Sequence, residues 1–246
     1  MYKLVKKNDS INLIVISDLH LCNKLDRLDL LYKTYEYASY NETDYIINLG
    51  DLIDSNMPHN SKNLRIKDVN KQIEFVIDNY PLCYDIQTII LYGNHDYFSK
   101  KFDIDVATTI SNERPDLINL GYGEAYISIL DNYIKLNHEI CYLKNYKRNI
   151  ETFITLLGHY HGFKVKNNDD SVYIYAPTLS NLGKGNEYVT PSILDIKIDF
   201  YNDLFSKLHI KCIDIENEII NSEFDLSMNI SNKKHIKIKE DLNKFN

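Results

Sequence analysis

Four short apolar runs in this chain each end in a residue that can bind a metal ion or move a proton. The runs and the residues that follow them are 11–16 before Ser17-Asp18, 45–49 before Gly50-Asp51, 88–92 before Gly93-Asn94, and 153–157 before Gly158-His159. Apolar runs of this length, bounded by polar residues and glycine, are typical of buried strands. Because ligands of open α/β sheets collect beyond the carboxyl ends of the strands, the four runs predict one shared site.

The candidate site residues supply carboxylate, amide and imidazole groups. They are Asp18, His20, Asp51, Asn94, His95, His138, His159 and His161. This set is large enough to hold two divalent cations side by side. Mixed imidazole and carboxylate ligands favour manganese, iron, zinc or nickel over magnesium and calcium, which prefer oxygen ligands. We expect manganese, with iron, zinc and nickel as alternatives.

Length and composition predict one catalytic domain. The chain has 246 residues, of which 44% are hydrophobic and 26% charged, and this is enough for a substantial core. We place the domain at residues 1–217. Residues 218–246 carry no motif, so we expect a C-terminal extension whose last ~15 residues are frayed, as chain ends often are.

Periodicity predicts an α/β architecture. Helical spacing indicates a helix over residues 26–40, capped by Asp26 or Asn23, and a second helix from Val69 that ends before Pro81. Beyond about residue 116 short alternating runs predict strands, with a hairpin turn at Asp131-Asn132. The β-rich second half predicts a second sheet packed against the first.

Charge and targeting signals exclude several classes of protein. The N-terminus has no secretory signal, and no apolar run approaches the roughly 18 residues of a membrane span, so we expect a cytoplasmic protein with no membrane partner. The four cysteines, Cys22, Cys83, Cys141 and Cys212, are far apart, which predicts free thiols. A net charge of −7 argues against extensive contact with nucleic acid backbones.

Five fragments in order resemble the motifs of the calcineurin-like metallophosphoesterases. They are Asp18-Leu-His20, Gly50-Asp51-Leu-Ile-Asp54, Gly93-Asn94-His95-Asp96, His138, and Gly158-His159-Tyr160-His161. Single fragments are weak signals, but the whole set at strand ends is hard to obtain by chance. The resemblance implies the fold of that family, a two-sheet β-sandwich flanked by helices. It also implies a hydrolase that cleaves phosphate monoesters or diesters.

The resemblance also implies a role for each motif residue. Asp18, His20 and His161 would bind one metal, Asn94, His138 and His159 the other, and Asp51 would bridge both. A carboxylate suits this position because its two oxygens can bind two cations roughly 3.5–4 Å apart. A hydroxide bridging the metals would then attack phosphorus.

The remaining motif residues would act around the metals. His95 would serve as general acid or stabilise the transition state, Asp54 would orient it and keep it protonated, and Asp96 would support the ligands. The sequence departs from the family at two positions. Ser55 stands where Ser/Thr protein phosphatases of this superfamily have arginine, which argues against protein phosphatase activity. Glu139 follows His138, where many relatives have glycine.

Two other functions remain open. One is a manganese-dependent DNA nuclease of the same superfamily, against which the acidic net charge weighs. The other is a non-catalytic scaffold, as in the retromer coat, although such relatives lose ligands or the catalytic histidine. We expect a phosphorylated small molecule or a phosphodiester as substrate, bound between loops 55–63, 97–115 and 177–190. His59 is a candidate substrate contact, and Tyr160 is expected near the site mouth.

Overall fold

The structure is a computed structural model that describes residues 1–140, 150, 152–168, 171–183, 187–228 and 236–240. The described strands are β1 (Tyr2–Leu4), β2 (Ser10–Ile16), β3 (Tyr45–Asn48), β4 (Gln87–Tyr92), β5 (Leu117–Tyr122), β6 (Glu124–Ile129), β7 (Asn132–Asn137), β8 (Ile154–Leu157), β9 (Lys164–Asn168), β10 (Ser171–Tyr175), β11 (Ser192–Tyr201), β12 (Leu204–Asp214), β13 (Ile219–Met228) and β14 (Ile236–Glu240). The described helices are α1 (Leu28–Tyr40), α2 (Val69–Asn79), α3 (Asn94–Phe98) and α4 (Val106–Glu113), with short 3-10 turns at Ser61–Asn63 and Ser99–Phe102.

The described strands form two mixed sheets. The larger has the order β14-β13-β12-β11-β2-β3-β4-β5, and the smaller has the order β1-β6-β7-β8-β10-β9. Strands β2 to β5 run parallel to one another, whereas β11 to β14 pair antiparallel. In the smaller sheet β7, β8 and β10 are parallel. The parallel strands of both sheets carry the candidate site residues at their carboxyl ends.

Strand β2 shows why its sequence is apolar at nearly every position. Leu13 and Val15 belong to the core between the two sheets, and Ile14 and Ile16 belong to the core between the larger sheet and the helices. A strand covered on both faces needs apolar residues on both, so it does not alternate. The predicted sandwich of two sheets flanked by helices is confirmed.

The predicted cap of the first helix is wrong. Helix α1 begins at Leu28, and Arg27 occupies the N-cap position without a side-chain cap. Asp26 instead accepts from the Cys22 amide and pairs with Arg65. Asn23 accepts from the Leu25 amide and donates to the Asp54 carboxylate. Both candidate caps are occupied by tertiary contacts.

Other local predictions also needed correction. The hairpin turn lies at Leu130-Asp131, one residue earlier than predicted, because Asn132 already pairs with Ile129 and Leu130 has a φ of 55°. Residues 97–115, expected to be a loop, contain a 3-10 turn and helix α4. The N-cap of α4 is Asp105, whose side chain accepts from the Thr108 amide. The segment expected to be a loop therefore contains the start of α4, with Asp105 as its cap.

Residues beyond 217 continue the larger sheet. Strand β13 pairs with β12, and β14 pairs with β13. Of the last ~15 residues, which were expected to fray, only Ile236–Glu240 lies within the described residues. Cys22, Cys83 and Cys212 are free thiols, and Cys141 lies outside the described residues. No helix in the described ranges has both the length and the low polarity needed to cross a membrane.

Helix α2 provides a test of local stability. Its N-cap, Asp68, accepts hydrogen bonds from the amides of Asn70 and Lys71 at 2.9 and 3.1 Å. Asp68→Ala leaves both amides without this acceptor and should lower the free energy of unfolding by about 1 kcal/mol, measured by urea denaturation. The control is Asp78→Ala, an exposed change near the other end of α2. Equal losses in both variants would contradict the role of the cap.

Candidate metal centre

The candidate site residues converge where parallel strands of both sheets end. The larger sheet supplies Asp18 after β2, Asp51 after β3 and Asn94 after β4. The smaller sheet supplies His138 after β7 and His159 after β8. Both sheets therefore contribute side chains to one site, which lies at the carboxyl ends of their parallel strands.

Asp18, His20 and His161 form a first group that could hold a metal ion. The Nε2 atom of His161 lies 3.2 Å from Nε2 of His20 and 3.2 Å from Oδ1 of Asp18. The His20 Nε2 atom lies 4.0 Å from the same carboxylate oxygen. Residues that are 141 positions apart in the chain thus present three donor atoms to one point.

Hydrogen bonds set the tautomer of both histidines in the first group. The Nδ1 atom of His20 lies 3.0 Å from Oδ1 of Asp54, and Nδ1 of His161 lies 2.6 Å from the Leu182 carbonyl oxygen. These oxygens accept hydrogen bonds, so each Nδ1 carries a proton and the neutral ring has a lone pair at Nε2. Among the described residues, Oδ1 of Asp18 has no hydrogen-bond partner. Lone pairs that face one another in this way fit a bound cation.

Asp51, His138 and His159 form a second group that could hold a metal ion. The Nε2 atom of His138 lies 3.2 Å from Oδ2 of Asp51 and 3.1 Å from Oδ1 of Asn94. The Asn94 oxygen also lies 2.8 Å from Nδ1 of His159. Nδ1 of His138 donates to the Leu49 carbonyl, so its Nε2 atom is directed at the group and has a lone pair when the ring is neutral.

Asp51 lies between the two groups. Its Oδ2 atom is 3.2 Å from Nε2 of His138 in the second group and 3.9 Å from Nε2 of His20 in the first. Its Oδ1 atom accepts from the amide of His95 at 2.9 Å. Among the described residues that make these contacts, Asp51 is the one whose carboxylate oxygen lies close to donor atoms of both groups. This placement suits a ligand that two cations share.

The carboxylates of the site create a strong demand for positive charge. Burial would raise the pKa of Asp51, but the charges of His138 and His95 outweigh it and hold the pKa well below its usual value. Burial likewise opposes the charged form of His138, yet the charge of Asp51 raises the pKa of that imidazole to about 9. Asp18 shows the same balance, because the neighbouring His161 and His138 imidazoles lower its pKa against the effect of burial. Divalent cations would satisfy the same demand.

Asp54 contacts two histidines. Its Oδ1 atom lies 3.0 Å from Nδ1 of His20 and 2.9 Å from Nδ1 of His95, and the latter also contacts the Asp54 carbonyl oxygen at 2.9 Å. These three side chains could also hold a metal ion. Because both Nδ1 atoms face acceptors and donate protons, we interpret the group as a hydrogen-bond network. Burial opposes protonation of His95, but Asp51 and Asp54 raise its pKa to about 10.

Asp96 supports the backbone around the site. Its two carboxylate oxygens accept from the amides of Leu52, Ile53 and Gly93 at 2.8–3.1 Å. Burial and the charge of Asp51 raise the pKa of Asp96 to about 7. The side chain is fully buried and ties the loop after β3 to the end of β4.

Several supporting residues had no signal in the sequence motifs. Ser17 Oγ donates to Oδ2 of Asp18, Thr178 Oγ1 donates to the Asp18 carbonyl, and the Leu182 carbonyl orients His161. Asn23 and Asn60 both donate to Asp54, to its carboxylate and its carbonyl respectively. Of these, Ser17 directly precedes the first motif and Asn23 lies shortly after it, so these two could have been suspected from the sequence.

The flanking candidates lie at the edge of the site. The exposed ring of His59 is 6.3 Å from that of His95, between ring centroids. Ser55 is buried, and its hydroxyl contacts Ser99 Oγ at 2.8 Å. Tyr160 is 37% exposed and lies between two of the site histidines. The structure brings every sequence-predicted site residue into this region.

The backbone at the site is locally strained. Five of the candidate residues have positive φ values of 45–77°, a region that non-glycine residues rarely adopt: Asp18, His20, Asp51, His159 and His161. Such conformations persist only where the surrounding structure enforces them, and they cluster at functional sites. The packed sheets on either side supply that enforcement here.

Glycines at the strand ends leave room for the ring of His138. A Cβ at Gly93 would lie 2.7 Å from His138 Nε2, and one at Gly158 would lie 2.8 Å from His138 Nδ1. Both distances are too short for real contacts. The two glycines therefore allow His138 to reach the second group of donors.

Gly93→Ala should lower the free energy of unfolding by about 1–3 kcal/mol, because the new methyl group overpacks against His138 and the Asp51 backbone. Urea denaturation monitored by circular dichroism measures the loss. Gly162→Ala is the matched control, since the nearest atom to its added Cβ would be the Tyr160 carbonyl oxygen at 3.9 Å. If Gly93→Ala were as stable as this control, the close packing around His138 would be refuted.

Comparisons with known proteins agree with this geometry. A family model described as calcineurin-like phosphoesterase matches residues 11–235. No curated protein matches the chain significantly in sequence. Structures with a similar fold include vacuolar protein sorting 29 from Cryptosporidium parvum, with 14% identity over 94% of this chain and 97% of that chain and a TM-score of 0.50. They also include YfcE, a phosphoesterase from E. coli, with 15% identity over 87% of this chain and 98% of that chain and a TM-score of 0.51. The structural likenesses bear on the fold alone, but the family match spans most of the sequence, and the chain belongs to the calcineurin-like phosphoesterase family.

Proposed function

We propose that this protein hydrolyses phosphate monoesters or diesters with the help of two divalent cations. The observation that carries the proposal is the convergence of one carboxylate oxygen and two imidazole nitrogens in the first group. Oδ1 of Asp18 is buried without a hydrogen bond among the described residues, and the Nε2 atoms of His20 and His161 lie 3.2 Å apart in the same group. Family membership supports a phosphate ester as the substrate class.

Each group would hold one cation. Asp18, His20 and His161 would bind the first, Asn94, His138 and His159 the second, and Asp51 would bridge them. Cations bound there would activate water and offset the charge of the phosphoryl oxygens. Imidazole and carboxylate donors together favour manganese, with iron, zinc and nickel as alternatives.

His95 and Asp54 would act on the substrate side of the centre. The Nδ1 proton of His95 is held by the Asp54 carboxylate and carbonyl, which fixes the orientation of the ring. Its Nε2 atom lies 3.9 Å from the Asp51 carboxylate, so it faces the metal centre. From this position a protonated His95 can donate to the leaving oxygen or stabilise charge on the phosphoryl group.

Asp51→Asn tests the bridging carboxylate. The change removes the charge shared by the two groups, so we expect fewer than two cations per chain and a loss of at least about 100-fold in hydrolysis of p-nitrophenyl phosphate and its bis ester. Metal content is measured by mass spectrometry after dialysis against Mn²⁺. Asp78→Asn, on exposed helix surface, is the matched control. Wild-type binding and turnover in the Asp51 variant would sink the proposal.

His95→Asn separates catalysis from metal binding. Because His95 contacts Asp54 in this scheme and binds no cation, the variant should retain two metals while kcat falls by about 10²–10⁴-fold. His209→Asn, which alters a histidine on β12 paired with Asp199 and Asp225, should leave both quantities unchanged. Loss of metal in the His95 variant would place His95 among the ligands instead.

The same assays distinguish the alternative functions. Labelled single- and double-stranded DNA incubated with Mn²⁺ and the wild-type protein tests for nuclease activity. Degradation of DNA that disappears in His95→Asn would identify a nuclease. A wild-type protein that binds no metal and hydrolyses none of these esters would overturn the proposed function and favour the non-catalytic scaffold.

A further inference from the structure

Asn23 is a buried asparagine beside the metal centre that none of the sequence motifs contains. It lies three residues after His20 and is 1% exposed. Its backbone amide donates to the His20 carbonyl at 3.0 Å, and its own carbonyl accepts from Nε of Arg65 at 3.2 Å. The backbone of Asn23 also forms an antiparallel bridge with Leu64. These contacts fix the point from which the side chain extends.

Hydrogen bonds at both ends of the Asn23 side chain set the orientation of its amide group. Oδ1 accepts from the backbone amide of Leu25 at 2.9 Å, so Nδ2 is the end that faces Asp54. Nδ2 donates to Oδ2 of the Asp54 carboxylate at 2.6 Å. Because the donor is neutral, it holds this oxygen without cancelling the negative charge of the carboxylate.

The other oxygen of Asp54 contacts two imidazoles. Oδ1 lies 3.0 Å from Nδ1 of His20 and 2.9 Å from Nδ1 of His95. The centroids of the two rings are 4.6 Å apart, with an interplanar angle of 79°. One oxygen therefore sets the direction of a candidate ligand of the first cation and of the proposed general acid. A rotation of the carboxylate would change both directions together.

We propose that Asn23 is a positioning residue, which fixes the Asp54 carboxylate so that one oxygen orients both His20 and His95. Its consequence for hydrolysis rests on the proposed function. Because Oδ2 is engaged by the Asn23 amide, the carboxylate does not offer a separate oxygen to each ring. Nε2 of His20 is then directed at the first group of donors, and Nε2 of His95 faces the Asp51 carboxylate. Residues that orient ligands in this way typically change activity or metal affinity by about 10- to 100-fold.

Nuclear magnetic resonance of the metal-free protein, with isotopic label at its histidine nitrogens, tests the positioning without turnover. The wild-type protein should show Nδ1–H signals of His20 and His95 that are protected from exchange with solvent. Asp54→Ala removes their shared acceptor and identifies the two signals by their loss. Asn23→Leu and the smaller Asn23→Ala both remove the donor, so each should shift or lose the same two signals. A wild-type protein without these signals overturns the proposal.

Asn132→Leu is the matched control, because the Asn132 amide donates to the Asp203 carbonyl at 2.8 Å, at the opposite end of β7 from His138. It should leave all the histidine signals in place. Nδ1 of His138 and of His161 faces carbonyl oxygens, so their signals should stay unchanged in both Asn23 variants. The proposal is overturned if the Asn23 variants change no signal. It is also overturned if the loss extends to His138 and His161, since that indicates a general disruption of the site.

Hydrolysis of bis(p-nitrophenyl) phosphate by the Mn²⁺-loaded protein tests whether Asn23 acts through Asp54. Asn23→Leu should lower kcat by about 10- to 100-fold in the otherwise wild-type chain. In an Asp54→Ala background the same change should lower kcat by no more than about threefold, because the residue through which it acts is absent. Equal losses in both backgrounds would mean that Asn23 acts through another contact, such as that with the Leu25 amide, and would overturn the proposal.

The two measurements separate this inference from the proposed function. Histidine signals that stay unchanged in the Asn23 variants of a protein that hydrolyses the ester overturn the inference and leave the proposed function intact. Loss of the His20 and His95 signals in the variants of a protein that hydrolyses no ester supports the positioning and overturns the proposed function.

Discussion

The central constraint in this structure is the burial of carboxylates with their negative charge. Asp18, Asp51 and Asp54 are almost completely inaccessible to solvent. Burying an unbalanced charge is costly, so these groups require positive charge close by. The backbone carbonyls of Leu49 and Leu182 hold protons on Nδ1 of His138 and His161, which directs the Nε2 atoms inward. The buried negative charge is balanced only when protons or cations occupy the space between these atoms.

The two sheets are the means by which this cluster is assembled. The carboxyl ends of parallel strands in the larger sheet bring Asp18, Asp51 and Asn94 together. The carboxyl ends of strands in the smaller sheet bring His138 and His159 to the same place. The core between the sheets is packed with aliphatic side chains and fixes the strand ends of one sheet relative to those of the other. This rigidity explains how site residues can keep left-handed backbone conformations that an isolated loop would relax.

The fold by itself does not decide what such a site does. The chemistry depends on particular side chains, and neighbouring residues position them. Asp96 accepts from the backbone around the site, Asn60 donates to the Asp54 carbonyl, and the Asp54 carboxylate contacts His95. Ser55 turns inward, and its hydroxyl contacts that of Ser99.

The sequence alone determined the strand ends and the chemical type of each site residue. Apolar runs that stop at Gly50-Asp51 or Gly93-Asn94 are local signals, because burial and turning are properties of short segments. The cap of α1 could not be predicted in this way, since Asp26 and Asn23 were engaged by Arg65 and Asp54. Tertiary structure alone decided which ring nitrogen of each histidine faces an acceptor and which carboxylate oxygen lacks a hydrogen-bond partner. Those properties depend on atoms such as the Leu182 carbonyl, whose position relative to His161 follows from how the chain packs and from no local pattern.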